Sequence, residues 1–147
     1  MDFMRSIAIS GSALTAERLR LDVITNNIAN ANTTRTAQGG PYRRQTVVFA
    51  PRGEQVQWMF PGMEAQGGGF KGRGVRVVGI AQDSSPFKRM YNPGHPDADA
   101  SGYVSLPNVN TVTEMVDLMA ATRAYEANVA VIGASRQMAA RALEMGR

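Results

Sequence analysis

Stepping by threes and fours from Met115 gives Met115, Leu118, Thr122, Tyr125, Val129, Ile132, Arg136, Ala139 and Leu143, and seven of these nine are apolar. No proline interrupts the run, so the spacing predicts one long helix over 111–143 with an apolar seam at heptad spacing. Thr111 followed by Glu114 reads as a capping box at its start. At ~1.5 Å per residue such a helix runs roughly 50 Å, and its stripe needs a partner of similar length. Residues 3–30 supply one. Asp2 reads as the N-cap, and Phe3, Ile7, Ser10, Leu14, Glu17, Leu21, Ile24 and Ile28 repeat at the same spacing. This second rod is roughly 43 Å long at the same rise. A further stripe at Ile9, Ala13, Ala16 and Val23 is left uncovered by one pair, so neighbouring molecules are expected to cover it.

Between 33 and 107 the pattern changes. Most of the glycines and all seven prolines fall there. Residues 42–49 read as a strand ended by Pro51, 74–80 as a second and 103–106 as a third. Residues 62–74 read as a Gly-rich loop, and 86–99 as an extended strap with turns. The predicted fold class is α+β: two long terminal helices with a small β-rich insert between them. The expected division is 1–34 with 108–147 as the helical domain and 35–107 as the insert.

Charge adds one feature. The net charge is +4, and the two helical segments are internally balanced. The span 35–95 carries nine basic residues against Glu54, Glu64 and Asp83. This is either a solvated loop surface or an electrostatic footprint for an acidic partner. The arginines are scattered over loops and strands with no helix-turn-helix, finger or RNP signature, so nucleic acid is not the expected ligand. With no cysteine, disulfides and thiolate metal sites are excluded. The segment 67–72 spells G-x-G-x-x-G, but a glycine-rich loop precedes it and a Val-rich strand follows, the reverse of the dinucleotide fingerprint. His95 is the single histidine and reads as a turn residue. Neither a catalytic set, a cofactor site nor a membrane span is expected. The N-terminus opens no apolar h-region, so no cleaved signal peptide is read.

Four asparagines, Asn26, Asn27, Asn30 and Asn32, crowd the end of the first helix, where Asn is a poor interior residue. Buried amides fix register, because each unsatisfied one costs about 1–3 kcal/mol. The cluster reads either as a fraying helix end with Asn as cap, or as Asn26, Asn27 and Asn30 locking the helix pair, or adjacent subunits, at one axial offset, with Arg123 and Asn128 as candidate partners. Gly11 and Gly133, inside the helices, are read either as points of close helix approach or as tolerated slack.

Ser12-Ala-Leu-Thr-Ala16, then Leu21-Asp-Val-Ile-Thr-Asn-Asn-Ile-Ala-Asn-Ala-Asn-Thr33, closely resembles the N-terminal signature of bacterial flagellar axial proteins. Asn108-Val-Asn110, Glu114-Met-Val-Asp117 and Arg123-Ala-Tyr-Glu-Ala-Asn128 are similar to their C-terminal signature. The middle, at 74–83 and 91–104, most resembles the proximal-rod members. The resemblance implies that the two terminal helices form an antiparallel coiled coil, in which Leu14, Leu21, Ile24 and Ile28 meet Leu118, Tyr125, Val129 and Ile132. It further implies a structural subunit of the proximal rod of the basal body, polymerising helically through these helices and transmitting torque. The implied interface, within and between subunits, holds Phe3, Ile7, Leu14, Leu21, Ile24, Asn26, Asn27, Ile28 and Asn30. From the last helix it takes Met115, Leu118, Arg123, Tyr125, Asn128, Val129 and Ile132. Implied partners are further copies, other rod proteins, ring and rod-base adaptor proteins and the flagellar type III export apparatus. The implied location is the periplasmic rod, reached without a cleaved signal. The competing reading is a non-catalytic coiled-coil adaptor whose basic insert holds an acidic partner or nucleic acid.

Overall fold

The computed structural model describes residues 3–53 and 72–145, apart from the Phe3 side chain. Asp2, Glu54, Glu64 and residues 67–71 of the glycine-rich motif, all singled out from sequence, lie outside the described residues. The elements run α1 (Phe3–Ala29), β1 (Gln45–Pro51), β2 (Val75–Gln82), β3 (Lys88–Tyr91), β4 (Tyr103–Leu106) and α2 (Thr111–Met145). The architecture is the predicted α+β arrangement, two long terminal helices with a small antiparallel β insert. The end of α1 meets the start of α2, where the Asn27 amide donates to Glu114, so the helices run antiparallel. α2 has 35 residues against 27 in α1 and overhangs it by roughly 12 Å at the far end.

The seam of α2 is not the one that apolarity selects. Leu118, Tyr125, Ile132 and Ala139 lie in it, but the alternate row is Glu114, Ala121, Asn128 and Ser135, one residue before Met115, Thr122, Val129 and Arg136. Ala121 is fully buried and Ser135 nearly so, whereas Met115 is 52% exposed and Val129 47%. Helix axes come closest where contact side chains are small. Ala121 and Ser135 allow that approach, and the larger side chains are left outside.

The stripe at Ile9, Ala13, Ala16 and Val23, expected to wait for neighbouring molecules, is covered in large part within the chain. β1 and β2 pair antiparallel, with a bulge at Val48/Phe49, and this ribbon packs on α1. Ala16 and Val23 are buried, and Val23 shares a cleft with Thr46, Val47 and Phe49. Gly74 makes the close approach possible. Its φ is +97°, and a Cβ there would fall 2.2 Å from Ser12 Oγ and 3.5 Å from the Ile9 Cα. Ser12 Oγ in turn accepts the Val75 N–H at 3.0 Å. Only glycine satisfies both the backbone conformation and the space.

The strap expected over 86–99 contains β3, which pairs with β4 from Lys88↔Leu106 to Tyr91↔Tyr103. All four β3 residues are exposed, so no burial alternation betrays the strand in sequence. Cross-strand pairing holds it instead. The Tyr91 and Tyr103 rings meet edge-on at 5.3 Å, and the Arg89 guanidinium sits 5.2 Å over Tyr103. The chain buries Val104 within β4, then Pro107 and Val109 on its way into α2.

Candidate functional site

The most constrained part of the molecule is the junction where α1 ends, β1 begins and α2 begins. Asn27, the last buried residue of α1, is 1% exposed and makes four hydrogen bonds. Its Nδ2 donates to the Gln45 carbonyl at 2.7 Å and to Glu114 Oε2 at 3.0 Å. Its Oδ1 accepts from the Tyr42 hydroxyl and from the Gln45 N–H, each at 3.0 Å. One amide thus ties both helices and the hairpin together, and each of its two polar atoms has two partners.

Glu114 is the largest fully buried side chain of the junction. Its charge is answered by Arg44, whose Nε lies 2.6 Å from Oε1. A buried carboxylate this well paired is tolerable, whereas an unpaired one is not. The same guanidinium reaches Asp117 at 3.5 Å and Asp83 at 3.9 Å. Arg44 N–H donates to Asn108 Oδ1, and Asn108 Nδ2 donates to the carbonyls of Asp83 and Ser85. Arg43 lies 4.4 Å over the Phe87 ring and donates to the Asp83 carbonyl. Burial, reinforced by the Glu114 carboxylate, raises the Tyr42 pKa above its ordinary 10.0. Hydrogen bonds from the Ser85 hydroxyl and backbone, with Arg44 and Arg43 nearby, lower that of Asp83.

Several sequence expectations change here. Glu114 does not close a capping box with Thr111. The N-cap is Asn110, whose Oδ1 accepts the Val112 N–H at 3.1 Å and whose carbonyl takes the Glu114 N–H. Glu114 is thereby free to turn into the core. Of the asparagine lock, only Asn27 crosses between elements, and its partners are Glu114, Gln45 and Tyr42. Asn30 folds back on Asn26, receives Thr33 and finishes the helix end. Arg123 is exposed on the outer side of α2, and Asn128 donates to the Ala124 carbonyl. Leu14, Leu21 and Ile28 are half-buried along α1, as is Ile7 near its start, while Ile24 is buried. Leu118, Tyr125 and Ile132 lie across from them on the seam, with Met115 and Val129 outside it. Arg44 and Asn108 were missed as parts of a site. The signal available was that Arg44 precedes a strand and Asn108 the last helix, positions where side chains bond backbone.

The junction holds a structural network rather than a reaction centre. Among the described residues no group of three or more His, Asp or Glu gathers as metal ligands, and no described helix is long and apolar enough to cross a membrane.

Comparison with known proteins gives the same picture along the whole chain. Residues 7–35 match the family model for flagella basal body rod proteins, and residues 100–145 match that for the C-terminal region of flagellar basal body rod FlgEFG proteins. The flagellar basal-body rod protein FlgC of Borreliella burgdorferi is 51% identical over 142 residues, covering 94% of this chain and 93% of that one. FlgC of Bacillus subtilis is 44% identical and FlgC of Salmonella typhimurium 40%, each covering both chains completely.

Proposed function

The chain belongs to the FlgC family of flagellar basal-body rod proteins, and from that premise we propose that it polymerises helically through its terminal helices into the proximal rod and carries torque along them. It is a non-catalytic structural subunit of the basal body that assembles with other rod proteins. The observation that best supports the finer reading is α2, which is apolar on two sides. Its inner seam packs on α1, while Val112, Met115, Val116 and Met119, spaced i, i+3, i+4 and i+7, are each more than half exposed. A helix apolar on opposite faces is stable in water only when both are covered. A contact that repeats without closing makes a filament. Met115, Arg123 and Val129 belong on this outer, intersubunit side.

The domain reading follows: 1–34 with 108–147 form the polymerising unit, and the insert 35–107 is a spacer fixed to it by the Asn27 junction. Ring proteins, rod-base adaptors and the type III export apparatus are the proposed further partners. The proposed route is export to the periplasmic rod without a cleaved signal. The adaptor alternative has less behind it, because Arg35, Arg43, Arg44, Lys88 and Arg89 of the basic insert are occupied by internal partners. The deciding experiment is mass spectrometry on detergent-extracted, salt-washed basal bodies, with a deletion strain beside it. Retention of the chain in the particles, and no rod in the deletion, is the expected result. Absence from the particles would end the rod reading.

A further inference from the structure

The charge of this chain is polarised along its length. β1 runs from the junction to Pro51 and β2 returns from Val75, which places Arg52, Arg73 and Arg76 at the end remote from Asn27. The three are neighbours. The Arg52 N–H bonds the Gly74 carbonyl, Arg76 pairs in register with Ala50, and a Cβ on Gly53 would fall 2.7 Å from the Arg73 Cδ. Arg5 joins them by donating to the Gly72 carbonyl at 3.1 Å. Arg5 lies twenty-two residues before Asn27 and Arg136 twenty-two residues after Glu114, so helix rise sets both at one level, with Arg141 beyond. All six arginines are exposed, and none has a carboxylate within ion-pair distance among the described residues. Of the nine acids among the described residues, Glu144 stands at this end, and the other eight match the eight remaining basic residues. The excess positive charge therefore belongs to this end.

Resting on the rod reading, we propose that this arginine-rich end docks onto a different protein chain through a cluster of Asp and Glu carboxylates on that partner. Among the described residues another copy of this chain offers no free cluster of them. At the opposite end Asp83, Asp97, Asp99, Glu114 and Asp117 each already lie within 4 Å of an arginine, Glu17 lies within 4 Å of Arg20, Asp22 and Glu126 stand on different helices, and Glu144 stands at the arginine end itself. Two like ends facing each other would repel. The composition also favours protein over lipid. The charge is carried by Arg, whose planar fork engages carboxylates bidentately. Beside it stand Met4, Leu143 and Met145, exposed by 74%, 76% and 83%. Arg and Met are the residues enriched in protein interfaces.

The test uses the full chain in its own bacterium, carrying Arg52→Glu, Arg73→Glu and Arg76→Glu together. These positions lie outside the helix seam, so the variant is expected to keep the wild-type circular dichroism and melting curve. Its retention in salt-washed basal bodies is expected to fall at least tenfold, while the Lys triple variant, which keeps the charge, stays well above it. If the Glu triple variant misfolds, the Arg52→Glu and Arg76→Glu single variants carry the same comparison. A photo-crosslinking residue replacing Arg76 is expected to trap a second flagellar chain at a peptide rich in Asp and Glu. Wild-type retention of the Glu variant would overturn the proposal, as would cross-linking to another copy. So would flotation of the wild-type chain, but not the Glu variant, on phosphatidylglycerol vesicles. Absence of the wild-type chain itself from basal bodies would instead remove the rod reading, and this proposal with it.

Discussion

At the scale of single residues the molecule turns on Asn27. Truncating it strands the Glu114 carboxylate oxygen, which is buried, and both polar groups of the Gln45 backbone and the Tyr42 hydroxyl, which are half-buried. Asn27→Ala is expected to cost about 3 kcal/mol, since each buried polar group left unpaired costs about 1–3. On a chain of this size that lowers Tm by roughly 6–12 °C. Glu114→Ala is expected to cost a similar amount, because Arg44 retains Asp117 and Asp83 and is not wholly stranded. The double variant should fall short of the sum by ~1 kcal/mol or more, as contacting residues do. Additivity in a thermal-melt cycle would mean that the two act independently. Tyr42 adds a pH signature. Its pKa is raised in the fold, so its contribution is complete below the ordinary 10.0 and is lost as pH rises through the higher folded value. Stability should therefore decline above about pH 10, and Tyr42→Phe should flatten that limb of the curve. Asn27 was legible as a lock because an amide in a helix needs a reason. Its partners were not, because Glu114 sits where a capping box would use it and nothing local shows that Asn110 caps instead.

At the scale of elements, apolar periodicity located both helices, and the hairpin strands to within a few residues. It misplaced one row of the α2 seam. Leu118, Tyr125 and Ile132 are flanked by apolar residues on one side and by small or polar ones on the other. Hydrophobicity alone chooses Met115 and Val129 over Ala121 and Ser135, whereas close packing chooses the reverse. β3 escaped because a strand exposed along its whole length carries no alternation, only cross-strand partners. The helical glycines give a test of packing in the free chain. A Cβ on Gly11 or Gly133 would meet nothing within 4 Å, so close approach inside the molecule does not explain them. Gly11→Ala and Gly133→Ala should each raise the stability of the isolated chain by about 1 kcal/mol, the helical preference of Ala over Gly. Urea melts of the monomer check this. A loss of stability would place a contact there that the single chain does not show. Gain in the monomer with impaired assembly would assign the space to a neighbouring subunit.

At the scale of the whole molecule, the proposed assembly surface is distinct from the surfaces that hold the fold, and this separates the two experimentally. The inner seam and the Asn27 junction hold the chain together, while the Val112, Met115, Val116 and Met119 face of α2 is more than half exposed in the single chain. The termini were readable in sequence because their heptads answer to the helix seam and Asn27 to the junction. The insert was less so, since Arg35, Arg44 and Arg89 answer acids that only the fold brings near. Changing exposed residues usually moves stability by no more than about 0.5 kcal/mol, so Val116→Glu with Met119→Glu should leave the monomer's melt nearly unchanged. Placed in an assembly, the same two carboxylates would be desolvated without partners, at a cost of several kcal/mol for each buried charge. Motility on soft agar should be lost, and the variant should disappear from purified basal bodies while it persists in the cell. A motile strain whose basal bodies hold the variant at wild-type level would show that this face is not where subunits meet. A variant that fails to fold would show that the face belongs to the core after all.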